Sequence, residues 1–287
     1  MKVARKTRFA RLVRAELFKI RRRPMLWIML AIQSALCAII PMVIYLVVKT
    51  SGSSDEEMSR GFQDLADDRL SFPGALISTV STSLSWGLPL LIVLTACAFG
   101  GEYAWGTLRL LISRGEGRQE YIHSKLAALF LVWIVLFGAG IVAALATGTL
   151  ATVLAGGSGL SAVDASDYAE FVARLLAGLL GGATYICFTA LLATQTRSTA
   201  FSVAGGLVMF FGDRIVGEIA IALGYRPLEL LIKATPGFNV RSLTGDSGGA
   251  SNPILLSIIA LTIICASFVL GMTRTLKRSD LQVSGVG

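Results

Sequence analysis

Charge is absent from five long stretches of this 287-residue chain: Pro24 to Val48, Leu70 to Gly101, Leu126 to Val163, Leu175 to Thr196 and Ser247 to Thr273. A sixth, shorter stretch from Ser198 ends at Gly212, before Asp213 and Arg214. About 20 mainly apolar residues carry a helix across a bilayer core. The runs therefore predict six spanning helices at residues 26–48, 75–99, 127–154, 171–194, 199–222 and 253–273. Only 15% of residues are charged and mean hydropathy is +0.70, against about a quarter charged in soluble domains. The chain is read as one all-α integral membrane domain covering residues 1–287.

Lysine and arginine fix the expected orientation, because cytoplasmic segments retain positive charge during insertion. With the N-terminus inside, the four cytoplasmic segments hold 18 basic and 5 acidic residues. The three external segments hold 7 and 13, and Arg174 lies within the fourth span. Both termini are thus expected in the cytoplasm, and the formal charge of +8 largely reflects this asymmetry. The first external segment, Lys49 to Phe72, is acidic and reads mainly as solvated surface.

The first 23 residues carry ten basic side chains. From Arg5 to Ile20, Phe9, Leu12, Val13, Leu17 and Ile20 share one helical face, with Arg5, Arg8, Arg11, Arg14 and Lys19 on the rest. This is the pattern of an amphipathic helix lying on the cytoplasmic leaflet, with Arg11, Arg14, Glu16 and Lys19 as its candidate functional residues. Anchorage by acidic lipid and docking of a partner both remain open. A basic segment abutting a span is a topology and lipid-contact signal, not a nucleic-acid site. The apolar run from Met25 to Val48 is long for a signal-peptide core and has no clear small-x-small cleavage site. Arg21 to Arg23 followed by Pro24 are expected to turn the chain into the first span, with Trp27 at the interface.

Several chemistries find no seat. Cys37, Cys97, Cys187 and Cys265 lie in four different spans without CxxC spacing and read as packing residues. The single histidine, His123, excludes a multi-histidine metal site, and no catalytic or metal-ligating residue is assigned. No GxxxxGK[ST] sequence occurs, so ATP is not expected to bind this chain. Gly178 and Gly182 give a GxxxG face for close helix packing. Ion coupling would need mid-membrane charges, whereas the ones present sit near span ends. A membrane-embedded enzyme would have only Asp213, Arg214 and Glu218 to build on. Uncharged polar residues within spans mark a candidate substrate path: Gln33, Ser34, Thr82, Ser85, Trp86, Thr184 and Thr189. Most such side chains are expected to be satisfied by backbone carbonyls or neighbouring helices.

The cytoplasmic loop GEYAWGTLRLLISRGEGRQEYIHSK, Gly101 to Lys125, is the most distinctive polar segment. Leu108, Leu110, Leu111 and Ile112 are apolar residues in otherwise charged surroundings, and exposure without a partner is unfavourable. Burying such a leucine in a groove contributes about 1.5–3 kcal/mol. Arg109 is suited to an acidic rim. The alternative is that the leucines dip into the bilayer surface. Glu102, at the base of the second span, is expected to pair with Arg14 or Lys19 of the first helix.

The order of a basic amphipathic start with Glu16-Leu17-x-Lys19, Arg-Arg-Pro before the first span, GEYAWGTLRLLISRG after the second, and Tyr121 and Lys125 leading into the third resembles the membrane permease of type-2 ABC transporters. The string Glu102 to Arg109 is its most specific part, and the likeness extends along essentially the whole chain. The resemblance implies six spans, an N-terminal interface segment (1–24), a coupling helix in the loop at 100–125, and short re-entrant helices in the external segment at 223–252. It assigns ATPase coupling to Glu102, Tyr103, Gly106, Thr107, Leu108, Arg109, Leu110 and Leu111. It implies two copies of a cytosolic ABC ATPase holding ATP and Mg, a second permease (a homodimer), and a bacterial plasma membrane. The cargo would be hydrophobic or amphiphilic: a drug, antimicrobial peptide or lipid. A membrane sensor or scaffold that recruits a cytosolic partner without moving cargo is the alternative.

Overall fold

The computed structural model describes residues 2–51, 74–104, 118–154, 165–223, 226–245 and 253–283. Among these, every regular element is helical: α1 (Lys2–Arg22), α2 (Pro24–Ser51), α3 (Gly74–Ala104), α4 (Arg118–Leu154), α5 (Ala165–Thr196), α6 (Thr199–Leu223), α7 (Arg226–Lys233), α8 (Pro236–Thr244) and α9 (Ile254–Val283). Six of them, α2 to α6 and α9, are long and apolar enough to cross a membrane. A helix satisfies its own backbone, which is what hydrocarbon demands.

The six expected spans are all present, but charge ends a membrane span without ending a helix. Helix α4 begins at Arg118, nine residues before the apolar run, because Arg118, Gln119, Glu120 and Lys125 are good helix formers. Helix α5 likewise begins at Ala165, and α9 continues to Val283. The break between α1 and α2 is Arg23 alone, with Pro24 opening α2, where its missing N–H costs no helical bond. The Trp27 indole N–H donates to the Arg21 carbonyl across this corner at 3.1 Å. Between α5 and α6 the chain reverses through Arg197, whose φ of 53° is left-handed, and Ser198 Oγ then accepts the Phe201 N–H. The expected coupling helix falls in residues 105–117, outside the described residues.

The chain divides into two compact units, Met1–Trp27 with Leu88–Ile134 and Leu179–Gly287, and Ile28–Gly87 with Val135–Gly178. In the second unit α2, α3 and α4 are joined by polar side chains. Gln33 Nε2 donates to the Ser83 carbonyl (2.9 Å) and to Ser83 Oγ (3.2 Å), and Ser83 Oγ donates to the Phe137 carbonyl (3.0 Å). Gly140 lies directly over this junction, and Gly178 of α5 receives the Phe137 ring. In the first unit the Trp133 indole lies on Gly182. The GxxxG glycines thus seat aromatic rings of α4, one in each unit. Cys187 and Cys265, read from sequence as separate packing residues, are thiols in contact at 3.4 Å between α5 and α9.

In the first unit α8 packs against α6, α7 and α9, and α7 against α6. The start of α6 meets the end of α3: a Cβ on Gly100 would lie 2.7 Å from the Thr199 Cα, whereas one on Gly101 would meet nothing within 4 Å. Gly100→Ala is therefore expected to cost about 1–3 kcal/mol through backbone displacement. Gly101→Ala is expected to be neutral or to stabilise by up to about 1 kcal/mol. Thermal unfolding of the detergent-solubilised protein checks the pair, and equal effects of the two would refute the close approach.

Candidate functional site

The ends of α3 and α4 that flank residues 105–117 are held together by a buried charged cluster, which also takes in α1. On α4, Tyr121, Lys125, Leu129 and Trp133 form one stripe at i, i+4 spacing, and all four are buried, Lys125 to 1% exposure. A lysine on a packed stripe must bring an anion with it, since an isolated buried charge is costly. Glu102, two residues before the described end of α3, supplies it: Lys125 Nζ lies 2.5 Å from Glu102 Oε2. Tyr121 donates its hydroxyl proton to the same Oε2, and Lys125 Nζ donates to the Tyr121 oxygen at 3.1 Å. The ammonium also stands 4.8 Å from the Phe99 ring centre and 5.4 Å from that of Tyr121, where aromatic faces favour a cation.

Helix α1 contributes the other half. Glu16 and Ile20 are buried together at i, i+4 spacing, so an acid sits on the packed face of this basic helix. Lys19 Nζ donates to Glu16 Oε1 at 2.6 Å and lies 3.9 Å from Glu102 Oε1. Two carboxylates and two ammonium groups thus form a neutral set. Arg11 and Arg14 are on the exposed face of α1. Of the two partners expected for Glu102, Lys19 is at the outer limit of pairing and Arg14 points away. The principal partner is Lys125, which sequence reasoning placed in the loop without assigning it a role. Its place on the stripe with Tyr121, Leu129 and Trp133 was the signal that could have found it.

The remaining sequence-derived residues divide between the two units and the undescribed segment. Tyr103 is half-buried beside Glu102, while Gly106, Thr107, Leu108, Arg109, Leu110 and Leu111 lie outside the described residues. Of the candidate path residues, Gln33, Ser34, Thr82, Ser85 and Trp86 belong to the second unit, and Thr184 and Thr189 to the first. Gln33 is fully buried in the α2–α3–α4 junction, and among the described residues its Oε1 meets no donor. Ser34 and Ser85 are half-buried, and Trp86 is exposed on the apolar surface. Thr82 lines a small cleft with Ile40, Pro41 and Thr79. The buried Thr184 hydroxyl donates to the Leu180 carbonyl of its own helix, and Thr189 is buried against Gly206. Among the described residues, no three His, Cys, Asp or Glu side chains group to hold a metal ion.

The cluster joins the N-terminal helix to the helix ends on either side of residues 105–117 in a chain with six helices long and apolar enough to span a membrane, and a family profile described as ABC-2 family transporter protein matches residues 12–213. The chain belongs to the ABC-2 transporter family. No curated protein matches it. The matched region begins within α1 and ends at Asp213 in α6, so it includes every residue of the cluster, four of the six spans in full and most of the fifth. The protein is a membrane-embedded ABC-2-type permease subunit.

Removing one member of a buried ion pair strands the other and costs about 3–5 kcal/mol, whereas replacing both by apolar groups of similar volume is close to neutral. Lys125→Met and Glu102→Leu alone are each expected to lower the thermal midpoint strongly, and the double variant to recover most of the loss. A cycle in which the double variant loses the sum of the singles would show that the two side chains act independently.

Proposed function

We propose that this permease subunit serves an ATP-driven exporter in which a separate cytosolic ABC ATPase, present in two copies with its ATP and Mg, supplies the energy. The observation that carries the reading is the Glu16–Lys19–Glu102–Tyr121–Lys125 cluster. It ties α1 to the two stems from which residues 105–117 emerge, so a displacement of that segment is passed to three helices without first stretching a loop. Within the segment, Gly106, Thr107, Leu108, Arg109, Leu110 and Leu111 are the residues proposed to enter the ATPase. Glu102 and Tyr103 sit at its base, and Arg11, Arg14, Glu16 and Lys19 make the interface helix.

In this reading residues 1–24 form the cytoplasmic interface segment, 100–125 the coupling loop and 223–252 the external segment with its re-entrant helices. Both termini lie in the cytoplasm of a bacterial cell, in keeping with the distribution of basic residues. Two copies of the chain assemble around a path. Exposed apolar side chains on α2, α6 and α9, including Ile39, Val208 and Ile263, supply surface for lipid and for that second copy. The spans carry serine, threonine and glutamine in their interior instead of fixed mid-membrane charge. That lining favours a hydrophobic or amphiphilic cargo such as a drug, antimicrobial peptide or lipid over a small ion. The residues for which a cargo role is proposed are Gln33, Ser34, Thr82, Ser85, Trp86, Thr184 and Thr189.

The test is recovery of the tagged chain from its own membranes in mild detergent, comparing wild type with the Leu108→Asp, Arg109→Glu variant. A Walker-motif ATPase is expected to co-purify with wild type and to be lost from the variant, with membrane expression unchanged. Absence of an ATPase from both would leave a membrane sensor or scaffold as the better reading.

A further inference from the structure

The hairpin of α7 and α8 contains a hydrogen-bonded turn that brings in a carboxylate from another helix. The Leu231 carbonyl accepts from Ala234 N–H, and Ile232 from Thr235 N–H and Thr235 Oγ1. The Lys233 carbonyl accepts from Asn239 Nδ2, and that of Thr235 from both Asn239 N–H and Nδ2. Asn239 is fully buried, as are Phe238 and Val240 to within 3%. Val240 fits against Gly181 of α5, where a Cβ would come within 2.8 Å of its methyl carbon. At its other end α8 closes on Gly245 at a φ of 76°, with that N–H bonded to the Arg241 carbonyl.

The N-terminus of α8 is where the self-sufficiency stops. Thr235 occupies the N-cap position but makes no side-chain cap bond; its hydroxyl donates to the Ile232 carbonyl and also lies within hydrogen-bonding reach of the Asp213 carboxylate. The orphan N–H at the second helical position belongs to Gly237, and Asp213 Oδ2 of α6 accepts it at 2.9 Å. A negative group there also meets the positive end of the α8 dipole. One turn further on, Arg241 Nη2 donates to the Asp213 backbone carbonyl at 3.0 Å. Gly237 is required by the approach: a Cβ would lie 2.6 Å from Asp213 Oδ2, 2.8 Å from its Cβ and 3.0 Å from the Tyr185 hydroxyl. Asp213 therefore caps a helix that is not its own. Arg214 and Glu218, its sequence neighbours, are turned outward and pair with each other at 3.7 Å.

The geometry points to Asp213 as a latch: a positioning residue that keeps α8 seated among α5, α6 and α9, so that α8 leaves its seat only when the Asp213–Gly237 and Asp213–Arg241 contacts open together. This adds a regulatory element to the permease reading and rests on it only for the consequence during turnover, in which unseating α8 accompanies each transport cycle.

Hydrogen exchange read by mass spectrometry on the full chain in lipid nanodiscs tests the latch without nucleotide. Asp213→Ala is expected to speed exchange of residues 236–244 at least tenfold while the Tyr121–Leu129 peptide stays at the wild-type rate. Asp213→Asn keeps an acceptor oxygen and is expected to stay within threefold of wild type. Unchanged exchange at 236–244 in Asp213→Ala overturns the latch. Should that variant loosen every helix, Arg241→Ala decides: faster exchange confined to 236–244 supports the latch, and a wild-type rate overturns it. With the co-purified ATPase present, ATP turnover is expected to speed exchange at 236–244 in wild type and to add little in Asp213→Ala. A latch seen without nucleotide but indifferent to turnover would refute the permease-linked role and leave the Asp213 contact standing.

Discussion

Hydrocarbon offers no hydrogen-bond partner, so each backbone and side-chain polar group that enters it must find one inside the protein. Six long helices meet that demand for most of the chain by bonding to themselves. The serine and threonine hydroxyls extend the same solution: Thr147, Thr152, Thr184 and Thr262 donate to carbonyls a turn earlier on their own helices. At several places among the described residues one helix recruits a polar partner from another. The Gln33–Ser83–Phe137 junction is one, the Glu102–Lys125 cluster a second and the Asp213–α8 contact a third.

The Glu102–Lys125 cluster follows the logic of buried charge. A pair such as Glu102 and Lys125 adds little net stability over an apolar pair, because desolvation offsets attraction. What it confers is fixed geometry. Tyr121 and Lys125 both converge on one carboxylate oxygen, so the ends of α3 and α4 have one relative placement that satisfies all three groups. Lys19, bridging Glu16 and Glu102 from the solvent side, brings α1 into the same placement. The proposed docking role of residues 105–117 would draw on that stiffness at the flanking helix ends.

The membrane character of the chain was legible because hydrocarbon excludes charge so strongly that span positions can be read from gaps between charged residues. Helix ends were less legible: Arg118 to Leu126 and Ala165 to Glu170 are polar enough to end a span but favourable enough for helix to continue. Glu102 stood out as a charge at a span boundary, yet its partner did not, since pairing across 23 residues leaves no mark in local sequence. The periodic stripe through Lys125 was the available clue. For Asp213 there was no clue, because its partner is a main-chain N–H of Gly237, and backbone groups carry no sequence signature. The meeting of Cys187 with Cys265 was hidden for the same reason of distance, 78 residues apart in the chain.

Helix α6 links the two polar sites of the first unit. Its first residue, Thr199, lies against Gly100, two residues from Glu102, at a distance that leaves no room for a methyl group. Its Asp213 holds the N-terminus of α8. Fourteen residues of helix separate these contacts, a rigid span of about 20 Å. Because Gly100 leaves no slack, a shift in the end of α3 presses directly on the start of α6, and a stiff helix transmits translation with little loss. At Asp213 the same displacement meets two hydrogen bonds with narrow geometric tolerance. A movement of an ångström or so, small for a helix bundle, is large for a hydrogen bond of 2.9 Å, so a modest displacement at one end of α6 would register as a discrete change at the other.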